Sequence, residues 1–569
     1  MYAVGTDINT DTWHWYPGLY SSKYPVKFLF LSPEGDKIIW QGWTFSKGTW
    51  TKWREGHGEE DVLLDALKDF PWYGSGARTG NTIWILGYGI KELLHRQGWL
   101  TQLYREDILI RRGKYSHRYI TGRMTIIDAW IAGKKCKILD IKNWGFRQED
   151  FDGIFSSWKH PEIEAAKQYV SMCYDQDLGS LQTTTAGQGK VRYRRHDMPR
   201  KVLLHGLDDK VRALERGSWL AARCEAKWLG HIDEHVFNLD VKSMYSSIAL
   251  TASLPIIPEM YYEEMGVKQA LEIIANNKQI IATVLVKTDI PLYPKKFQPK
   301  NRSKLDAVCW PTGQFWTILP HPELAMALMR GDVLRIGCAV TYKHAAIFDK
   351  SSEWYFRARE EVKKKPYHLV EPQFKMIVNG MYSNLGKKLR QWVSVGESES
   401  KRLSKMHGRN WEWYDTMPGG TRLTKFRSIQ GDVSYYTEDA ESPYSMPAIS
   451  STIFSLGRRW MANLIEIAGE RNTYYCDTDC PMVNFKGYIN LEHLIDPTGK
   501  APGKLSVKNE GDDAKIWAPK WYRIGDHKVR AGELATADWD EDKELELDKF
   551  IYGKIKNPGW VKPLKFRES

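Results

Sequence analysis

The stretch YYCDTDC, residues 474–480, sets two carboxylates, Asp477 and Asp479, one residue apart between two apolar, β-prone runs. Two unit charges about 4 Å apart repel by roughly 4 kcal/mol at an effective dielectric near 20. Aspartate is also a good turn former, so the pair could do no more than shape a hairpin tip. A second strand-like run, EHVFNLDV (234–241), reaches another aspartate, Asp240, in NLDVKSMYSSI (238–248). Strands that each end in aspartate can bring their carboxylates to one edge of a sheet. A pair of Mg2+ ions about 3.5–4 Å apart would there turn the repulsion into attraction and hold a phosphate between metal and protein.

A third segment, KMIVNGMYSNLGKK (375–388), reads as a helix. Lys375, Asn379 and Tyr382 fall at i, i+4 and i+7 and so share one face. Lysine would neutralise a triphosphate while the aromatic ring supports a base; a solvated amphipathic helix gives the same pattern.

These groups need elements to carry them. Hydrophobic periodicity predicts mixed α/β structure over residues 1–180. YAVGTDI, TIWILGYG (82–89) and KCKILDI (135–141) read as strands, IKELLHRQGWLTQLYRE (90–106) and EIEAAKQYVSMCYDQDLGSL (162–181) as helices. Residues 182–201 are polar, Gly-containing and basic, as in a linker. Residues 255–350 suggest short strands among many prolines, an inserted subdomain. A helical pair spans 352–365 and 371–392, split at Pro366, and 393–445 reads as irregular. STIFSLGRRWMANLIEIAGE (451–470) is a strong helix leading into the two acidic residues.

In order and in type, the three segments resemble the motifs of family B DNA polymerases. NLDVKSMYSSI is similar to the first palm motif, Asp-x-x-Ser-Leu-Tyr-Pro-Ser, with Asp240, Ser243, Tyr245 and Ser247 matching, and Met244 and Ser246 departing. KMIVNGMYS resembles the fingers motif Lys-x-x-x-Asn-Ser-x-Tyr-Gly, with Gly380 and Ser383 departing. YCDTDC resembles Tyr-x-Asp-Thr-Asp-Ser, with Cys480 for the last serine. The resemblance implies that Asp240 and Asp479 chelate two Mg2+ ions, for which Mn2+ can substitute, with Asp477 in support and the carbonyl of Val241 as a further ligand. It implies phosphate contacts from Lys375 and Lys363, and a base-pair pocket shaped by Asn379 and Tyr382. Tyr245 would lie beneath the sugar and exclude a 2′-hydroxyl. APKWY (518–522) resembles the Lys-x-Tyr that holds a primer end, through Lys520 and Tyr522. The implied partners are a DNA template and primer and deoxynucleoside triphosphates.

The roughly 135-residue gap between Asp240 and Lys375, a second gap before Tyr474 and a length of 569 residues resemble the protein-primed branch of phages and linear plasmids. That branch implies a terminal protein as priming partner and a monomeric enzyme. ERGS (215–218) stands where the branch has Tyr-x-Gly-Gly, and Gly217 alone matches, as a DNA contact. The implied fold class is α/β and α+β multidomain: an N-terminal ribonuclease-H-like, exonuclease-type domain, then a right-hand polymerase with two insertions. The implied boundaries are 1–190 exonuclease-like, 191–260 palm, 261–350 first insertion, 351–392 fingers, 393–445 second insertion, 446–534 palm and 535–569 thumb. The exonuclease carboxylates match poorly. Asp-x-Glu falls at Asp7-Ile8-Asn9, Gly87 and Gly89 offer no ligand, and Tyr174 with Asp177 is one residue short of Tyr-x-x-x-Asp. Two ligands of four hold two divalent cations badly. The reading is a domain that keeps the fold but has little proofreading, with Asp11, Asp140 and Asp175 as spare carboxylates.

Other classes fit less well. A two-metal nuclease has no use for Lys375, Asn379 and Tyr382. A DNA-binding relative without catalysis would not keep its palm aspartates while losing the others. A polymerase using a nucleic-acid primer, or none, is the closest rival. Net charge is +12 and 25 tryptophans interleave with cations, as in WTFSKGTWTKWR (43–54) and GRNWEWYDT (408–416). Such pairing suits base stacking beside phosphate contact, although core packing explains many of the tryptophans. The seven cysteines lack zinc-finger spacing and read as reduced thiols, so a cytoplasmic site is expected. No secretion signal is apparent and no apolar run approaches the ~20 residues of a membrane span.

Overall fold

The computed structural model describes residues 2–3, 26–34, 37–58, 66–67, 82–90, 93, 126–131, 134–153, 155–198, 208–297, 307–364, 366–388, 391–407, 412–416, 423–429, 432–437, 445–530 and 559–566. The chain forms two compact units. The first gathers Met1–Asn9, Lys201–Ser352 and Met446–Ser569; the second gathers Thr10–Arg200 and Glu353–Ser445.

At the centre of the first unit is a five-stranded antiparallel sheet in the order Leu505–Gly511, Val236–Val241, Cys480–Asn484, Thr473–Asp477, Cys224–Ala226. Val236, Leu239, Val241, Tyr475, Met482 and Val483 are buried in it, the continuous apolar runs of strands covered on both faces. Helix Pro447–Ala468 starts on a proline, which is tolerated where no intrahelical N–H bond is due. It packs Met461 and Ile465 against Cys476 of the hairpin. Arg458 of this helix makes a bidentate ion pair with Glu323 of helix His321–Arg330, at 2.8 and 2.6 Å, with both side chains almost fully buried. Removing one partner of such a pair leaves an uncompensated buried charge, typically about 3–5 kcal/mol.

Residues 254–345, expected as short strands, instead build long ones. Leu254–Tyr262, Gln279–Thr288, Thr312–Pro320 and Val333–Ala345 are the body of a six-stranded sheet with its own core around Val284, Phe315 and Leu324. Prolines do not shorten these strands because Pro255 and Pro258 sit where the register shifts, at bulges that need no ladder N–H. A third sheet orders His527–Arg530, Trp521–Ile524, Ala514–Ala518, Trp228–Ile232 and Gly559–Trp560. Of the residues expected as thumb, 559–566 are described, and they add a strand to each of two sheets. Residues 535–558 lie outside the described residues.

The second unit has a six-stranded sheet in the order Thr49–Gly58, Lys37–Ser46, Val26–Glu34, Ile83–Gly87, Lys134–Asp140, Ile126–Ile131. The first three strands are antiparallel, and Val26–Glu34, Ile83–Gly87 and Lys134–Asp140 run parallel, the arrangement of a ribonuclease-H-like domain. Of YAVGTDI only Tyr2 and Ala3 are described, and they pair with Tyr261 and Met260 in the first unit. The expected linker also differs. Residues 185–196 form a helix, capped by the Thr184 side chain and closed by Arg194, Arg195 and His196, cations that suit its C-terminal dipole. Residues 393–445 are likewise ordered where described: helix Glu397–His407 covers a four-stranded antiparallel sheet around Leu403, Trp413, Phe426 and Val433. The predicted helix over 90–106 lies almost wholly outside the described residues. No helix among the described residues is long and apolar enough to cross a membrane.

Candidate active site

The hairpin Thr473–Asp477/Cys480–Asn484 turns at Thr478, whose φ of +63° is unusual for a β-branched residue. Three backbone bonds hold the turn there. Thr478 N–H donates to the carbonyl of Arg223 at 2.7 Å, Asp479 N–H to the carbonyl of Asp477 at 2.7 Å, and Val241 N–H to the carbonyl of Asp479 at 2.8 Å. Arg223 is itself buried, its guanidinium bound by Glu225 and the carbonyl of Pro291. The last of the three bonds joins the hairpin tip to the end of the strand that carries Asp240.

As a result, ligand atoms of Asp240, Asp479 and Cys480 all lie within 4.8 Å of one another. The Cys480 thiol donates to Asp240 Oδ1 at 3.1 Å and lies 3.6 Å from Asp479 Oδ1. Burial, with Asp479 and Asp240 alongside, pushes this thiol far above its ordinary pKa and keeps it protonated. Two carboxylates thus face each other with a neutral donor between them. The sequence reading treated Cys480 as a silent replacement for serine; the i+1 spacing from Asp479 was the available signal that it lines the site.

Asp477 does not join this group. Both its oxygens accept from Lys520 Nζ at 2.6 Å. Lys520 has φ of +63°, and its backbone N–H donates to the Tyr475 hydroxyl at 2.9 Å. Burial alone would lower the pKa of this ammonium, but the hydrogen bonds to Asp477 and the nearby acidic charges raise it overall, so it is held charged. The expected convergence of three carboxylates therefore resolves into a pair plus one that carries its own cation.

Tyr245 sits on helix Met244–Thr251, just past Asp240. Its ring meets Phe454 edge-on, centroids 5.4 Å apart. Gly457 leaves room for it, because a Cβ there would lie 3.0 Å from Tyr245 Cε1. The Tyr245 hydroxyl is buried without a hydrogen-bond partner among the described residues. Tyr522 differs from a surface primer contact: it is buried against Tyr475, and its hydroxyl accepts from Asn238 at 3.4 Å. Gly217 is not in a connecting loop but in helix Asp209–Ser218, where a Cβ would come within 2.3 Å of Ile318 Cδ1; it is a packing glycine.

Apart from Asp7, the remaining expected residues belong to the second unit. Lys375 and Asn379 are exposed on helix Glu371–Asn384, but Tyr382 is buried, so only two of the three share the open face. The i+7 position has rotated onto the side with Phe374, Val378 and Met381, which packs inward. Lys363 is exposed and hydrogen-bonds Glu360 one turn back. Asp177 pairs with Arg195 and His196, each at 3.2 Å, rather than with other carboxylates. Asp140 is buried and caps the next turn, accepting from Lys142 N–H at 2.9 Å, and Asp175 accepts from the Tyr367 hydroxyl. Asp7 and Asp11 lie outside the described residues. The Trp-rich ribbon is engaged internally. Lys167 lies 3.9 Å from the Trp43 ring, Trp50 donates to Ser171, and Trp413 is buried against His407 and Phe426.

The sequence of residues 173–437, just under half of the chain, matches the family model of DNA polymerase type B, organellar and viral. Over that span the chain is similar to type B DNA polymerases. No curated protein sequence matches it. Among solved structures, phi29 DNA polymerase in an orthorhombic crystal form is similar with a TM-score of 0.58, at 12% identity and 90% coverage of each chain. The same polymerase with primer-template DNA and incoming nucleotide gives 0.57 at 12% identity, and with primer-template DNA alone 0.54 at 13%, both again with 90% coverage of each chain. At that identity the likeness establishes the multidomain polymerase fold, an exonuclease-type domain joined to a right hand, and not the details of its chemistry. The family model spans the strand that carries Asp240 and ends before the hairpin that carries Asp479.

Proposed function

We propose that this polymerase adds deoxynucleotides to a 3′ end under template direction by two-metal nucleotidyl transfer, and that it can start from a protein primer. The observation that carries the reading is the approach of Asp240 and Asp479, with ligand atoms within 4.8 Å at one sheet edge. Their oxygens are the hard donors Mg2+ prefers. Cys480 does not compete as a thiolate, since it keeps its proton and donates a hydrogen bond to Asp240. The donor set fits two divalent cations held by Asp240 and Asp479, with the Val241 carbonyl as a further ligand. When bound, such ions activate the primer hydroxyl and stabilise the leaving pyrophosphate.

The chain's own residues do the rest. Lys520 neutralises Asp477 and orients it beside the pair, which leaves Asp240 and Asp479 as the metal-holding carboxylates. Tyr245, braced by Phe454, limits the space beneath the sugar and selects against a 2′-hydroxyl. Lys375 and Lys363 bind the triphosphate, and Asn379 shapes the nascent pair, with Tyr382 supporting its helix from the buried side. Among the described residues the N-terminal sheet gathers no carboxylate cluster that would hold two metals, and little or no proofreading is expected of it. Protein priming draws support from two ordered insertions between the motifs, the long-stranded sheet of 254–345 and the four-stranded sheet after the second helix of the pair.

Incubation of the protein with Mg2+ and labelled deoxynucleotide tests both parts, with an annealed oligonucleotide as one acceptor and a priming protein's hydroxyl as the other. Both acceptors should be labelled, and Asp479→Ala should abolish both reactions. Synthesis retained by that variant sinks the metal assignment, and extension of the oligonucleotide alone removes protein priming.

A further inference from the structure

Helix Thr185–His196, in the second unit, crosses helix Glu371–Asn384 at a pair of glycines. A Cβ on Gly189 would lie 2.2 Å from the Ile377 carbonyl oxygen, and one on Gly380 would lie 2.6 Å from Ala186 Cα. Real Cβ atoms essentially never approach closer than 3.0 Å, so neither position accepts any side chain without moving a backbone. Asn384 Nδ2 adds a bond to the Ala186 carbonyl at 3.3 Å. Other contacts grip the same helical pair from the N-terminal side. The Arg192 guanidinium lies 3.8 Å from the ring of Trp354 on helix Asp349–Val362, and Tyr367, between the two helices, donates to Asp175. Gly145, at φ +90°, leaves the space that Met376 fills.

We propose that the ribonuclease-H-like region acts as a brace for nucleotide capture: the Gly189–Gly380 crossing fixes the rotation and height of helix Glu371–Asn384, and so sets where Lys375 and Asn379 point. The proposal rests on the polymerase reading of Lys375 and Asn379. Backbones in contact admit one crossing geometry, because interiors repack in discrete steps and do not deform continuously. Lys375 and Asn379 lie on the exposed face of this helix while Ile377 and Met381 turn toward Gly189. A slip at the crossing therefore displaces both polar groups together. The same contact accounts for the departure from the fingers motif at Gly380: the serine found in the family pattern would collide with Ala186. It also gives the N-terminal region a task that does not need carboxylates. Gly189, Gly380 and Arg192 are positioning residues, since none is placed to touch a substrate.

The test uses the full chain, with deoxynucleotide titrated in primer extension and hydrogen–deuterium exchange followed over 371–384. Gly380→Ser and Gly189→Ala should raise KM for the nucleotide about 10-fold or more, against the ~10²-fold that a 1 Å misplacement can cost. Turnover and primer-template affinity should stay within about threefold, the split expected when ground-state positioning is lost. Arg192→Ala should move KM the same way by about threefold, the scale of one exposed-to-buried cation–π contact. Exchange over 371–384 should rise in Gly189→Ala, although the substitution lies in the other helix. Folded Gly variants with wild-type KM overturn the brace, as does Gly189→Ala with unchanged exchange over 371–384. Absence of extension by the unmodified protein counts against the polymerase reading instead, and the exchange result still decides the crossing.

Discussion

Two sheets of this chain present strand ends where carboxylates could gather, and among the described residues one of them gathers them. In the second unit, Leu31, Gly87 and Asp140 stand on one rung of three parallel strands, so a single acid remains among three positions. Strand Val26–Glu34 carries no carboxylate before Glu34. Asp140, the one acid on the rung, is spent as a cap on the turn that follows it. In the first unit, Asp240 and Asp479 are drawn together by the bond from Val241 N–H to the Asp479 carbonyl and by the Cys480 thiol, while the third acid is matched by Lys520. Two sheet edges thus lead to opposite outcomes, because the chemistry resides in side chains grafted onto the fold. Like charges sit together at one edge, where donors and a cation are supplied, and among the described residues they do not at the other.

The contrast predicts its own sharpest test. Asp240→Asn or Asp479→Asn should lower primer extension by about 10³-fold or more, since in the proposed mechanism each would remove a ligand shared by both metals. Asp140→Asn should leave extension within about twofold, and a mispaired 3′ end should survive incubation with the unmodified protein. Both readouts come from one gel series. Degradation of the mispaired end, abolished by Asp140→Asn, would mean that the second sheet still catalyses and that the comparison is wrong.

The next effect concerns the acid that stays apart. Lys520→Met leaves Asp477 without its cation beside two other carboxylates, and should slow extension by about 10²-fold through misplacement of the pair. Asp477→Asn, which removes the charge along with the need for the cation, should cost less than Lys520→Met does. The reverse order would make Asp477 a metal ligand in its own right. The pH dependence has a definite sign. The Lys520 pKa is raised in the folded chain above its ordinary 10.5. The pair's contribution is therefore complete below the unfolded value and is lost as pH climbs through the folded one. No loss of activity below pH 10 should trace to Lys520, and the Lys520→Met profile should parallel the unmodified one there.

How much of this was legible in the residues themselves divides along the same line. The acidic hairpin, the strand ending at Asp240 and the long helix before the hairpin all carry local signals, apolar runs bounded by turn formers. They appear at Thr473–Asp477, Val236–Val241 and Pro447–Ala468. What escaped depends on contacts distant in sequence. Residues 185–196 look like a linker by their glycines and charges, yet Gly189 is there because Ile377 passes within contact. Tyr382 obeys the i+7 spacing, but rotation about the helix places it inside. Gly217 matched a motif by identity while serving the packing of Ile318. YAVGTDI reads as a first strand, and Asp7 within it is the match to the Asp-x-Glu exonuclease motif. Tyr2 and Ala3 pair elsewhere, and register with a strand some 260 residues away cannot be read from the segment alone.

The smallest expected effect falls on the residue that makes the first sheet's edge tolerable. Cys480→Ser replaces a weak S–H donor by a stronger O–H donor of nearly the same reach toward Asp240 Oδ1. Extension should change by no more than about threefold, since one buried hydrogen bond contributes only about 0.5–1.5 kcal/mol net. Cys480→Ala deletes the donor and leaves the carboxylate oxygen facing its neighbour in a half-buried site. A loss of about 10-fold is expected, with the apparent affinity for Mg2+ moved further than turnover, because the carboxylates must then be held together by the ions alone. Equal behaviour of the Ser and Ala variants would show that the thiol's proton does nothing at this edge. The two sheets would then differ only in how many acids they carry, and not in how those acids are supported.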